Sequence, residues 1–278
     1  MTTTTPPAPA HTGPPDPPAH GAAPPRAFRL LRHSLALTRR SLIKIRRTPE
    51  QLLDVTLQPI MFIVLFVYLF GGAVAGSTHD YLQYVLPALI AMGVVFGSMQ
   101  TGVNLNDDIK KGVFDRFRSL PIPRSAPLVG SVLGDLVRAV VAFAVPIGFG
   151  YAIGFRIQTD PLRTLAACLL MVTFAFCMSW VFVLVGMLVR EPGAVQGISF
   201  LALFPVAFGT NVFVPTDTLP GWLQAWVRVN PITSLMDAVR GLMLGGPVAA
   251  PATHTVLWGA GILAVFAPLA VQAYRRRT

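Results

Sequence analysis

Long apolar runs alternate with short polar connections along most of this chain. Six runs are near the ~20 residues that a helix needs to cross the hydrocarbon core of a membrane. We predict spans at approximately Leu53–Ala75, Tyr81–Val103, Leu128–Phe155, Leu162–Val189, Ala194–Val214 and Thr255–Tyr274. A core helix of a soluble protein would be shorter and amphipathic, so the pattern predicts an all-α integral membrane protein with six transmembrane helices.

Composition supports this prediction. Only 12% of the 278 residues are charged, against about 25% in soluble domains. The net charge of +10 could indicate nucleic acid, but the cations lie beside hydrophobic segments. Membrane lipids are therefore the expected partner of these cations, and nucleic acid is not.

The N-terminal region has two parts. Nine prolines in the first 25 residues predict a disordered tail over 1–26. Residues 27–48 follow with an apolar stripe that includes Phe28, Leu31 and Leu35, and with arginines elsewhere. This pattern is typical of an amphipathic helix in the membrane interface, although a helix that binds a partner protein has the same pattern.

The distribution of positive charge predicts the orientation. If both termini are cytoplasmic, 18 of the 22 cations lie inside. The outer side then holds Arg156, Arg163, Arg228 and Arg240. This asymmetry agrees with the positive-inside rule, so we predict an N-in, C-in topology.

Motifs of catalysis are missing from the sequence. It has no Gly-x-x-x-x-Gly-Lys-Ser/Thr loop for ATP and no cysteine–histidine cluster with metal-ligand spacing. No carboxylate falls in the middle of a span, where a proton-coupled transporter needs one. We therefore predict no catalytic, cofactor-binding or metal-binding residues, and expect the energy to come from another chain. A secondary transporter, a channel or a membrane enzyme are the alternatives.

The cytoplasmic loop between the second and third spans contains a short helical segment with one apolar side, followed by Pro121 and Pro123. The residues that we select are Lys111, Val113, Phe114, Asp115, Arg116, Phe117, Arg118 and Leu120. An exposed apolar patch with charged edges is typical of a docking site for a soluble protein. The alternative is a helix that folds back on its own bundle.

The long external loop before the last span predicts two short helices. Pro220 starts the first, which carries Trp222 and Trp226, and Pro231 starts the second, which runs over Ile232–Leu244. Tryptophan is enriched at membrane interfaces. We therefore expect short re-entrant helices in the outer leaflet.

These two loops carry a family resemblance. The run from Gly112 to Pro121 resembles the coupling-helix region of type-2 ATP-binding-cassette (ABC) exporter permeases. Leu-Pro-Gly-Trp-Leu at 219–223, Asn-Pro-Ile-Thr at 230–233 and Asp-Ala-x-Arg at 237–240 resemble their external segment. Within this class, the chain resembles the daunorubicin/doxorubicin-resistance permeases, and the match runs from about residue 28 to the C-terminus.

The resemblance implies a permease homodimer that binds two copies of a separate ABC ATPase subunit, which holds the ATP and Mg. The coupling role would fall to the segment from Lys111 to Leu120, with Phe114 and Phe117 in a groove of the ATPase. The substrate path would lie at the dimer interface. Multidrug efflux through a bacterial plasma membrane is the implied function, and 19 Arg against 3 Lys suggest a GC-rich, actinobacterial genome.

The resemblance also favours a small amphipathic substrate, often cationic and aromatic. Phenylalanines in the spans could stack on such a molecule, and the candidates are Phe143, Phe149, Phe174, Phe200, Phe204 and Phe208. Phenylalanines that face lipid or neighbouring helices are the competing interpretation. Export of a lipid or glycolipid is the alternative function.

Overall fold

The computed structural model describes residues 49–112 and 126–277, and all secondary structure in these two ranges is helical. The helices are α1 Pro49–Ala75, α2 Thr78–Lys110, α3 Ala126–Ala152, α4 Pro161–Leu188, α5 Pro192–Phe208, α6 Gly221–Val229, α7 Pro231–Leu244 and α8 Ala249–Arg277. A short 3-10 turn, Thr216–Thr218, precedes α6. The predicted tail over 1–26, the predicted interfacial helix over 27–48 and the residues of the docking segment after Gly112 lie outside the described ranges.

Three of the helices are long and apolar enough to cross a membrane. They lie at Thr78–Lys110, Pro161–Leu188 and Ala249–Tyr274. Three shorter apolar helical segments lie at Pro59–Ala75, Ala139–Ala152 and Pro192–Phe208. The all-α membrane class predicted from the sequence is therefore confirmed in the described residues.

Helix α2 is the centre of the bundle. It packs against α1, α3, α4, α5 and α7, and about two thirds of its most apolar stretch is buried. Ser77 caps its first turn by accepting a hydrogen bond from the amide of Asp80 at 3.0 Å. Helix α8 packs mainly on α4 and α7 among the described helices and leaves most of its apolar surface exposed. The core therefore lies around α2, and α8 is peripheral.

Two glycines bring α2 and α4 into close contact. A Cβ atom on Gly102 would overlap the carbonyl group of Phe182, and one on Gly186 would lie 2.5 Å from the carbonyl oxygen of Gly102. Beside this crossing, the Asn106 amide donates hydrogen bonds to the carbonyls of Gly186, at 2.8 Å, and Val189, at 2.7 Å. Small residues of this kind allow helix backbones to approach closely in a membrane.

The sequence also has glycines spaced four apart, at 72/76, 93/97 and 150/154, a spacing that favours close helix contacts within one protomer or between two. Gly72, Gly76, Gly93 and Gly97 have no neighbouring atom within 4 Å of the Cβ position. Gly150 does pack closely, against the side chain of Leu86. The crossing pair lies on two different helices, so no spacing along the sequence could reveal it.

The fifth apolar run ends earlier as a helix than its hydropathy predicts. We expected Ala194–Val214, but α5 ends at Phe208 and the chain then runs through residues 209–215 without helical structure. Asn230 explains the early end, because its side-chain amide donates hydrogen bonds to the carbonyls of Val206, at 2.7 Å, and Gly209, at 3.0 Å. These bonds occupy acceptors that a further helical turn would use.

Candidate functional site

A continuous row of phenylalanine rings follows α1 and α5. On α1, Phe66 lies between Phe62 and Phe70, with ring centroids 5.9 and 5.7 Å apart. Phe213, in the connection after α5, bridges the two helices because its ring lies 4.3 Å from Phe66 and 6.1 Å from Phe208.

On α5 the row continues along one side of the helix. Phe204 stacks on Phe208 at 4.4 Å and lies 5.4 Å from Phe200. Phe96 of α2 contacts the row from the interior, 6.1 Å from Phe200 and 6.4 Å from Phe208. We call these rings the aromatic band: Phe62, Phe66, Phe70, Phe96, Phe200, Phe204, Phe208 and Phe213. Rings at these separations interact favourably.

The aromatic band has an exposed side. Phe62, Phe70, Phe200 and Phe204 are each between about a third and a half exposed. Ring faces of this kind can stack on a planar aromatic molecule and attract a cation. The band therefore presents aromatic surface outside the packed core of the protomer.

The structure brings only half of the proposed path residues together. Phe200, Phe204 and Phe208 are in the aromatic band. Phe143 and Phe149 lie half-buried on α3. Phe174 is 2% exposed within the core of the protomer, where it contacts other side chains and has almost no free ring surface.

Two ion pairs lie where α2 ends on the side predicted to be cytoplasmic. Lys110 contacts Glu191, at the start of α5, with 2.5 Å between Nζ and Oε2. Lys111 contacts Asp107 at 2.6 Å, and this hydrogen bond raises the pKa of Lys111. Both pairs are largely exposed, so solvent screens them and they contribute little to stability. Lys111 is the described member of the predicted docking segment, and the other members lie outside the described residues.

A partly buried polar cluster lies at the opposite end of α2. Arg240 of α7 is 11% exposed by its side chain and makes an ion pair with Asp237 at 3.2 Å. Its guanidinium carbon lies 4.0 Å from the centre of the Tyr84 ring. Asn211 donates a hydrogen bond to the Asp237 carboxylate at 2.8 Å. The sequence indicated Arg240 only as an external charge, and no motif other than the family resemblance pointed to its burial.

The external helices present an apolar side outward. Trp222 is 75% exposed, and Trp226 and Val229 follow it on the same side of α6. Trp226 also packs closely on the end of α5, because its Nε1 lies 2.7 Å from the Cβ position of Gly209. Helix α7 begins at Pro231, with Asn230 as its N-cap. The two helices predicted in this loop are therefore present.

In the parts of the chain that the structure describes, no group of three histidine, cysteine or acidic side chains is arranged to hold a metal ion. The arrangement consists of apolar helices, an exposed aromatic band and exposed ion pairs at one end. It is that of a multi-pass membrane protein.

Comparison with known proteins agrees with this class. Residues 32–244 match the family model of the ABC-2 type transporter, so the chain belongs to the ABC-2 type transporter family. It is 42% identical over 238 residues to the daunorubicin resistance ABC transporter permease protein DrrB1 of Streptomyces coeruleorubidus, a match that covers 86% of this chain and 84% of that protein.

More distant relatives are similar over most of their length. The probable doxorubicin resistance ABC transporter permease protein DrrC of Mycobacterium tuberculosis is 29% identical over 87% of this chain and 88% of its own. The putative transport permease ycf38 of Cyanophora paradoxa is 25% identical over 78% of this chain and 76% of its own. The resemblance to ABC exporter permeases inferred from the sequence is thereby confirmed.

Proposed function

We propose that this chain is the membrane subunit of an ATP-driven exporter of amphipathic, aromatic and often cationic drugs. The observation that carries this proposal is the exposed aromatic band in a chain 42% identical to a daunorubicin resistance permease. Daunorubicin-like molecules combine fused rings with an amine. Stacked phenylalanines bind the rings and also attract the positive charge.

The complete transporter in this proposal is a permease homodimer with two ABC ATPase subunits. The chain spans the plasma membrane of a bacterium, of actinobacterial type, six times, with both termini in the cytoplasm. Membership in the ABC-2 family implies the ATPase partner, and the aromatic and basic residues between Lys111 and Leu120 offer it a docking surface. ATP and Mg bind to that partner, and this chain supplies the path.

The exposed faces of α1 and α5 support the placement of the path between two protomers. Leu65, Leu69 and Leu201 are more than half exposed beside the aromatic band. A second copy of the chain could cover this apolar surface and enclose the rings. In that arrangement the drug moves outward between two aromatic bands.

The experiment uses inverted membrane vesicles that contain the permease together with its co-purifying ATPase, with daunorubicin as the probe. We expect ATP-dependent uptake, and Phe204→Ala should raise the half-saturating drug concentration about 2–10-fold, because an aromatic pair contributes about 0.5–1.5 kcal/mol. The matched control is Leu257→Ala on the peripheral helix α8, a 63% exposed residue away from the aromatic band that should leave the drug dependence unchanged.

Absence of ATP-dependent daunorubicin uptake by the wild-type vesicles would contradict the proposed cargo. Nucleotide-dependent flipping of a short-chain fluorescent lipid in the same vesicles would then favour the lipid alternative. Equal effects of the two alanine substitutions would show that the rings do not bind the drug.

A further inference from the structure

Arg240 joins three segments that are distant in the sequence. Its Nε donates a hydrogen bond to the carbonyl of Tyr84 on α2 at 3.0 Å. One terminal nitrogen donates to the side chains of Asn211, at 3.1 Å, and Asp237, at 3.2 Å. The other donates to the carbonyls of Asn211, at 2.9 Å, and Val212, at 3.3 Å.

These five hydrogen bonds use the full donor capacity of a guanidinium group. The same junction is strengthened by two tyrosine hydroxyls of α2, since Tyr84 donates to the carbonyl of Asn211 at 2.7 Å and Tyr81 to the carbonyl of Phe213 at 3.0 Å. A buried charge is costly without partners, so α7 cannot leave α2 and the 209–215 connection without a large free-energy penalty. We call Arg240, Tyr84, Asn211 and Asp237 the external junction.

The other end of α2 leads directly into the proposed docking segment. Helix α2 has 33 residues, and its stretch from Tyr84 to Lys110 spans about 40 Å at the α-helical rise. The close crossing at Gly102 and Gly186 fixes α4 to the lower half of α2. A displacement of the inner end of α2 is therefore carried along a well-packed helix to the external junction.

We propose that Arg240 is a positioning residue for transport, which fixes the external helices α6 and α7 to α2 so that they follow the movement of α2 driven by the ATPase. The inference rests on the proposed function for its ATPase partner, but not for the identity of the cargo. Arginine is required because its planar fork holds acceptors from three segments at once, whereas the lysine ammonium group has three donors on a flexible stem.

The experiment follows the external helices without any drug. A cysteine replaces the exposed Arg228 of α6, in a chain with Cys168 and Cys177 changed to Ala. Its rate of labelling by a membrane-impermeant maleimide is measured in proteoliposomes with the ATPase, with and without ATP. We expect ATP to change this rate, and Arg240→Lys to reduce the ATP-dependent change about fivefold or more, the lower end of a typical coupling between two sites.

Arg163→Lys is the matched control, because Arg163 is exposed in the first turn of α4 and its side chain pairs with Asp160, the N-cap of that same helix. It should leave the response unchanged, and both variants should retain basal ATP hydrolysis. Asn211→Ala is the second variant, for use if Arg240→Lys does not fold. It removes one acceptor of Arg240 and keeps the backbone carbonyls, and it should reduce the response in the same direction.

An ATP response of wild-type size in the folded junction variants would overturn the inference, and so would a wild-type chain that does not respond to ATP. A normal labelling response without daunorubicin uptake would leave the inference standing and contradict only the proposed cargo. If the role of Arg240 is purely structural, the junction variants should show lower thermal stability and an unchanged labelling response. Thermal unfolding and maleimide labelling, measured on the same variants, therefore distinguish a structural role from a positioning role.

Discussion

Gly186→Ala tests the close crossing of α2 and α4. The added methyl carbon would lie 2.5 Å from the carbonyl oxygen of Gly102, 3.1 Å from its carbonyl carbon and 3.2 Å from its Cα. All three atoms belong to the backbone, so no side-chain rotation can relieve the overlap. Ordinary contacts begin at about 3.5 Å, so the two helices must separate by about 1 Å.

The expected cost is about 2 kcal/mol. Overpacking of a tight site typically costs about 1–3 kcal/mol, and lengthening the bond from Asn106 to the Gly186 carbonyl adds about 1 kcal/mol. The higher helix propensity of alanine offsets about 1 kcal/mol. At about 2–4 °C for each kcal/mol in a chain of this size, the midpoint of thermal unfolding should fall by about 4–8 °C.

The assay is thermal unfolding of the purified permease in one detergent at one heating rate, followed by loss of the monodisperse peak in size-exclusion chromatography. Gly97→Ala is the control, because nothing lies within 4 Å of its Cβ position, and it should leave the midpoint unchanged or raise it. A midpoint for Gly186→Ala at or above that of the wild type would refute the reasoning about the crossing.

Two further predictions concern the external loop and the docking segment. Asn230→Ala should lower the free energy of unfolding by about 3 kcal/mol, and with it the midpoint in the same assay, because it removes an N-cap and leaves the carbonyls of Val206 and Gly209 unpaired. Asn230→Asp should have a smaller effect, and equal midpoints for the two variants would contradict this account. The double change of Phe114 and Phe117 to Ala should detach the ATPase in an affinity pull-down while the midpoint stays unchanged, since buried aromatics dominate such interfaces, and full recovery of the ATPase would contradict the assigned docking site.

The approximate positions of the helices follow from hydropathy, because lipid requires long apolar segments. The hydropathy of a segment depends only on its own residues and needs no tertiary information. The start of α7 at Pro231 is also readable, since proline favours the first turn. The end of α5 was missed, because the apolar residues 212–214 continue the run beyond Gly209, Thr210 and Asn211. A distant residue, Asn230, supplies the hydrogen bonds that end the helix.

Only part of the candidate site could be predicted from the sequence, because only local spacing is visible there. Phe200, Phe204 and Phe208 recur at the helical spacing of four, which predicts one shared side of α5. Phe213 and Phe66 join this row through tertiary structure alone. Nothing in the apolar sequence around Phe174 distinguishes a core ring from an exposed one, and the burial of Arg240 depends on acceptors from two other segments.

The peripheral position of α8 has a consequence for how the sequence can change over time. Substitutions on its lipid side meet no neighbouring protein atom and need only remain apolar, so drift between related permeases should concentrate there. Helix α2 has packed neighbours on nearly every side, so most of its replacements would need a compensating change on another helix. Sequence differences between related permeases should therefore accumulate faster in α8 than in α2.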